Sequence, residues 1–336
     1  MQVHTDINNL PFFNNAVVTI GTFDGVHTGH LKIINQLKKE AKAINGESVI
    51  ITFHPHPRIV IGKPSSASGK ADEKVKLLNT LPEKTELLAN QNIDHLVIVR
   101  FTLEFSEQTA EEYIKDFLVS RFHPHTIIIG YDHRFGKNRA GDYHLLEECQ
   151  QTFNYKVKEI PEHVLNDVII SSTRIRHSLA EGNIADANEA LGYPYSFEGN
   201  VVEGNKLGRT LGYPTANIEL RDKYKVVPGN GVYAVKVSLD DDSLTNNHAD
   251  DHTSVYYNGM MNIGTRPTVG GTKKVIEVNI FDFDKSIYNT TLRIYIKGFL
   301  RPEVKFNGLE ELKLQLSSDK KNAETILRAL NSRIHP

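Results

Sequence analysis

Gly21-Thr22-Phe23-Asp24-Gly25-Val26-His27-Thr28-Gly29-His30 follows an apolar run at 16–20 and leads into Leu31, Ile33, Ile34 and Leu37 at helical spacing. The pattern reads as strand, tight turn and helix N-terminus. Such a junction is where phosphates bind, because free backbone N–H groups and the positive end of the helix dipole converge there and glycine lets an anion approach the backbone. His27 and His30 are three residues apart, so they share one face of the first helical turn and can address the same anion. A second glycine-punctuated stretch, Gly208-Arg209-Thr210-Leu211-Gly212-Tyr213-Pro214-Thr215-Ala216-Asn217, has the look of a separate phosphate-handling site.

Around the first stretch, short apolar runs at 49–53, 96–101, 126–130 and 155–160 alternate with segments of helical period at 74–88 and 110–119. That is the βαβ pattern of a doubly wound parallel sheet. Thr109 and Glu112 form a capping box ahead of one of its helices. In such sheets ligands sit beyond the carboxyl ends of the strands, where the Gly21 turn falls. The character changes near residue 190, which gives two expected domains, 1–190 and 191–336. The second is β-rich, with alternating runs at 232–237, 275–281 and 291–297. In the last run Leu292, Ile294 and Ile296 face one way and Arg293, Tyr295 and Lys297 the other. Closure into a small β-barrel would hide the strand edges, and 308–316 and 322–330 read as two C-terminal helices against it. The stretches 63–69 and 240–247 read as loops without chemistry.

Composition limits the partners. The chain has 336 residues, 39% hydrophobic, enough for two cores, and its formal charge of −2 offers no footprint for nucleic acid. A single cysteine, Cys149, excludes an intrachain disulfide and suits a reducing compartment. No apolar stretch approaches the roughly 20 residues of a membrane span, and residues 1–15 are too polar for a signal peptide, so a cytoplasmic protein without membrane contact is expected. The sequence leaves the oligomeric state open.

The first stretch resembles the Gly-x-Phe-Asp-x-x-His-x-Gly-His signature of histidine-pair adenylyl and cytidylyl transferases. About 140 residues on, Ile170-Ser171-Ser172-Thr173-Arg174-Ile175-Arg176 is similar to their second signature, Ile-Ser-Ser-Thr-x-Ile-Arg. The Pro214-Thr215-Ala216-Asn217 segment resembles riboflavin kinases, as do Asn262-Ile263-Gly264-Thr265-Arg266-Pro267-Thr268, the run 275–283 and Phe299-Leu300-Arg301-Pro302-Glu303. Nearly end to end, the chain is similar to the bacterial bifunctional riboflavin kinase/FMN adenylyltransferase family.

That resemblance implies a Rossmann-like nucleotidyltransferase domain followed by a β-barrel kinase domain, with riboflavin, FMN and ATP as substrates and Mg²⁺ as cofactor. It implies ATP-binding roles for Gly21, Phe23, Asp24, His27, His30, Ser171, Ser172, Thr173 and Arg176 in the first half, and for Gly204, Gly208 and Arg209 in the second. Asp132, Asn262, Thr265 and Arg301 are implied flavin contacts, and Thr215 and Asn217 implied metal ligands. The chemistry separates the halves. An FMN phosphate oxygen is already anionic at neutral pH, so adenylyl transfer needs positioned donors rather than a base, with His27 and His30 as the catalytic pair and Asp24 orienting the turn. The riboflavin 5′-hydroxyl needs a base, and Glu277 is the candidate.

One position departs from the family. Where Gly-x-Asp-Phe-x-Phe-Gly is usual, this chain has Gly130-Tyr131-Asp132-His133-Arg134-Phe135-Gly136, with His133 in place of an aromatic. Two other readings therefore stand beside the main one: a riboflavin kinase whose first half is weak or retargeted, and a flavin-responsive regulatory protein. Other fragments carry no chemistry. The run 229–234 matches a loose dinucleotide fingerprint but leads into a strand pattern, and Gly199 and Gly204 have Walker A spacing without the Lys-Ser/Thr that must follow. His54-Pro55-His56 and His123-Pro124-His125 lack the Cys or carboxylate partners of a metal site. The resemblance instead places 52–57 in a loop lining the ATP site.

Overall fold

The computed structural model describes residues 1–62, 75–161, 170–204, 207–240, 255–268 and 271–331. The loop read at 63–69, all of that at 240–247 beyond its first residue, and the pair Asn205-Lys206 lie outside them. The chain divides into two compact units, Met1–Ser172 and Thr173–Pro336.

The first unit is built on six parallel strands: β1 Gln2–His4, β2 Val17–Ile20, β3 Ser48–His54, β4 His95–Arg100, β5 Thr126–Gly130 and β6 Lys156–Ile160, in the order β1-β4-β3-β2-β5-β6. Five of them are the apolar runs of the sequence; β1 is an added edge strand, paired in parallel with β4. Successive side chains of a strand point to opposite faces, and both faces here are covered. Val18, Ile20, Val49, Ile51, Val97 and Ile127 face one core, with the helical segment 110–122 and Phe135. Val17, Ile50, Leu96, Ile98 and Ile128 face the other, under the helices Thr28–Ala43 and Leu81–Ala89. After β2 the chain builds outward through β3 and β4, then returns to the other side of β2 for β5 and β6. The strand order thus reverses between β2 and β5, and the crevice at such a switch point is the general ligand position in open α/β sheets.

One helix start in this unit differs from the sequence expectation. Of the helical pattern at 74–88, the described residues from 75 form a helix only from Leu81, because Thr80 and Glu83 close a capping box at its start and a proline occupies the first turn. The expected capping box of Thr109 and Glu112 is present, with Thr109 N donating to Glu112 Oε2 at 2.8 Å and Glu112 N to Thr109 Oγ1 at 3.2 Å. Its helix widens into a π-helical stretch at Tyr113–Val119.

The second unit is a closed antiparallel barrel of β7 Ser196–Val202, β8 Ala216–Leu220, β9 Gly231–Asp240, β10 Tyr256–Thr268, β11 Gly271–Ile280 and β12 Thr291–Arg301, in the cyclic order β10-β11-β8-β7-β12-β9. Closure removes every edge. Leu292, Ile294 and Ile296 are fully buried with Val235, Val237, Phe197 and Val278, whereas Arg293, Tyr295 and Lys297 alternate with them in half-buried positions. The helices Ser172–Ala180 and Ile184–Leu191 are tied to the barrel: Gly229 N donates to Leu179 O at 3.0 Å and Asn188 Nδ2 to Ile296 O at 3.0 Å.

The two C-terminal helices expected at 308–316 and 322–330 are one continuous helix, Leu309–Asn331. The polar stretch 317–321, which looks like a break, belongs to the helix because Asp319 points inward. Its side chain is 1% exposed and takes the Arg301 guanidinium, Nη2 to Oδ2, at 2.7 Å. Ala323 and Leu327 then pack on Ala234, Met260 and Phe281 of the barrel surface.

Candidate active sites

The first site grows from the end of β2. Phe23, Gly25 and Val26 all take positive φ (46°, 94° and 36°), a tight turn that reverses the chain into the helix Thr28–Ala43. His27 is the N-cap of that helix: its Nδ1 accepts from His30 N at 3.4 Å, which places the proton of the neutral ring on Nε2. The two imidazoles stack at 3.7 Å between centroids, 17° from coplanar. A side chain at Gly29 would meet the His27 ring at 3.2 Å, so glycine is what lets the ring lie over the first turn. His30 is held well below the ordinary histidine range by burial first, then by His27 and Lys84, and its Nδ1 is buried without a hydrogen-bond partner. It is a neutral donor or acceptor stacked on the His27 ring.

Asp24 orients this turn. Its buried carboxylate accepts from Leu78 N at 2.8 Å and Asn79 N at 3.3 Å, while its carbonyl takes the Ser172 hydroxyl at 2.8 Å. The structure therefore brings Gly21, Phe23, Asp24, His27, His30 and Ser172 together. Phe23 contributes its ring to His30 at 5.1 Å. Ser171 precedes the helix Ser172–Ala180, and Thr173 and Arg176 lie on its first turns. Sequence reasoning missed Lys84, a buried lysine whose Nζ donates to Thr22 O at 2.5 Å. The signal was its place on the apolar stripe of Leu81, Lys84 and Leu88. At the carboxyl end of neighbouring β5, Asp132 is exposed, whereas His133 has a buried Nε2 without a partner and is pushed down to about 4, chiefly by burial.

The second site lies on the barrel. Register places Asn262, Glu277 and Asn217 directly opposite one another across β10, β11 and β8, so the three side chains share one row and one face. Glu277 is 25% exposed, and its Oε1 accepts from Arg266 Nη2 at 2.8 Å. Side chains at Gly204 and Gly208 would collide with the Asn217 amide and the Tyr213 carbonyl oxygen, and one at Gly208 would come within 3.4 Å of Thr215 Oγ1. Gly204 thus lies close against Asn217, on the strand that pairs with Glu277, and Gly208 near Thr215. Arg209 and Thr215 line an adjoining cleft with Phe283, Lys285 and Tyr288. Two expected flavin residues stand apart from this row: Thr265 is exposed and accepts from Asn230 Nδ2 at 3.4 Å, and the Arg301 guanidinium is committed to Asp319. Among the described residues no group of three or more His, Cys, Asp or Glu side chains could hold a metal ion.

A switch-point crevice floored by a histidine pair, and a separate barrel with close-set glycines and a carboxylate, define a two-site transferase acting on phosphates. The comparisons narrow the class. Residues 11–174 match the FAD synthetase family model and residues 191–327 the riboflavin kinase model. The bifunctional riboflavin kinase/FMN adenylyltransferase of Buchnera aphidicola subsp. Schizaphis graminum is 37% identical over 95% of this chain and 96% of its own. That of Escherichia coli K12 is 36% identical over 92% and 91%. A crystal structure described as a macrolide-efflux protein from Streptococcus pneumoniae superposes with a TM-score of 0.81 at 29% identity, covering 96% of this chain and 98% of that one. The chain belongs to the bifunctional riboflavin kinase/FMN adenylyltransferase family. No helix among the described residues is long and apolar enough to cross a membrane.

Proposed function

We infer that the chain makes FAD in two ATP-dependent steps, riboflavin to FMN on the barrel and FMN to FAD at the histidine turn, with the functional boundary at 190/191. The observation that carries this reading is the pairing of two unlike sites, one with a carboxylate and close-set glycines and one with neutral imidazoles at a helix N-terminus, in the order of the two matched families.

On the barrel, Glu277 takes the proton of the riboflavin 5′-hydroxyl as its oxygen bonds to the γ-phosphorus of ATP, and ADP leaves. Its carboxylate exchanges the Arg266 donor for the hydroxyl as substrate arrives. Gly204, Gly208 and Arg209 hold phosphates, and Asn262 and Thr265 address the flavin. The oxygens of Thr215 and Asn217 fit Mg²⁺, a hard cation that retains waters and phosphate oxygens and needs few protein ligands; when bound it neutralises phosphate charge. Arg301, committed to Asp319, supports the flavin side by fixing the C-terminal helix.

At the turn, an FMN phosphate oxygen attacks the α-phosphorus of ATP and pyrophosphate leaves. No proton need be removed. His27 Nε2–H, His30, the Ser171, Ser172 and Thr173 hydroxyls and Arg176 stabilise the charge that accumulates on the leaving group. Asp132 and His133 stand on the acceptor side of the crevice. The chain works in the cytoplasm.

The test is a pair of variants assayed for both steps. His27→Ala/His30→Ala should abolish conversion of FMN to FAD and leave riboflavin phosphorylation intact. Glu277→Gln should reduce phosphorylation by about 10²- to 10⁴-fold while supplied FMN still becomes FAD. A histidine double variant with undiminished FAD formation would overturn the assignment of the turn. Near-normal phosphorylation by Glu277→Gln would remove that residue from the mechanism.

A further inference from the structure

Lys84 has no place in the chemistry derived above, yet it is among the most deeply buried charged side chains, at 6% exposure. Burying an ammonium costs several kcal/mol unless it is paired and hydrogen-bonded, and packing alone would be served better by leucine or methionine. Its ammonium hydrogen bond and the carboxylate that acts on it both belong to the histidine turn. Nζ donates to the Thr22 carbonyl, which also takes the Thr52 hydroxyl at 3.3 Å, and the nearby Asp24 carboxylate favours its charged form. That turn needs holding, because Phe23 and Val26 sit at positive φ without being glycine. Asp24 ties one side of it to residues 78 and 79, Ser172 ties the Asp24 carbonyl, and Lys84 ties the residue where the turn begins.

We propose that Lys84 is a positioning residue for adenylyl transfer, its ammonium fixing the Thr22–Asp24 turn beneath the histidine pair and setting a positive charge behind the surface that receives the phosphates. The proposal rests on the adenylyltransferase reading of this site. The charge also acts on His30, where it favours the neutral ring. Burial lowers Lys84 to about 8 against the opposing pull of Asp24. The groups around it are Asp24 on the turn, His27 and His30 at the start of the helix Thr28–Ala43, and on its own helix Glu83, whose carboxylate is engaged by Thr80 N. Below its titration Lys84 is charged and the turn is held; as pH rises through it the charge is lost, so the rate of FAD formation falls on the alkaline side.

The experiment is the pH dependence of FAD formation from supplied FMN and ATP for the wild type, Lys84→Met and Lys84→Arg, with riboflavin phosphorylation as the control. The wild type should lose rate above about pH 8. Lys84→Met should lose about 10²-fold at neutral pH and show no alkaline decline in what remains, as expected when one preorganised charge is removed. Lys84→Arg, whose guanidinium stays charged, should carry the decline to higher pH. A Lys84→Met enzyme that makes FAD at the wild-type rate, or is slower with the decline unchanged, would overturn the proposal in favour of a packing role. If Lys84→Met does not fold, Lys84→Arg decides: a decline that stays at the wild-type pH overturns the proposal, and one carried to higher pH upholds it. A wild type that makes no FAD at any pH would sink the adenylyltransferase reading itself, and the proposal with it.

Discussion

At the scale of single residues, the first site is built from groups that each do a structural task in order to be available for a chemical one. His27 caps its helix through Nδ1, and that bond assigns the Nε2 proton; the same residue would be read as a mere cap if the stacked His30 were overlooked. Gly29 is part of the same device. Gly29→Ala would put a Cβ 3.2 Å from the His27 ring and should displace the ring and lower FAD formation about tenfold or more while riboflavin phosphorylation is unchanged, as assays of the two steps would show. The histidine pair and Glu277 were legible in the sequence because their motifs are local. Lys84 was not, because a lysine in a helix is ordinarily solvated and only its place on the apolar stripe argues otherwise.

At the scale of elements, apolar runs betrayed five of the six parallel strands, since strands buried on both faces carry little else. β1 escaped because three residues, Gln2 to His4, make no run at all. On the barrel, apolar residues mark β9, β11 and β12, whereas β7, β8 and β10 carry few of them beside Glu198, Asn200, Asn217, Asn258 and Asn262, although β7 alternates strictly in burial. The C-terminal helix shows the same limit: the stretch at 317–321 reads as a break until Arg301 supplies the inward partner for Asp319. That pair yields a prediction. The Arg301 side chain is 18% exposed and that of Asp319 1%, and three guanidinium–carboxylate contacts of 2.7–3.1 Å join them. Asp319→Ala leaves a cation without its partner and should cost about 3–5 kcal/mol, seen as a lower denaturation midpoint of the second unit. An unchanged midpoint would mean that water replaces the carboxylate.

At the scale of the molecule, two units of unrelated architecture each present their site where that architecture allows one: at the strand-order reversal of a parallel sheet, and on the row shared by three barrel strands. The division of labour follows from chemistry, because an alcohol needs a base and a phosphate does not. The measurement that tests this most directly is a chromatographic time course of the purified chain with riboflavin, ATP and Mg²⁺. The account predicts that riboflavin is consumed with release of ADP, that FMN appears first, and that FAD then grows at the expense of FMN with release of pyrophosphate. Unchanged riboflavin, or FMN that accumulates without any FAD, would contradict it.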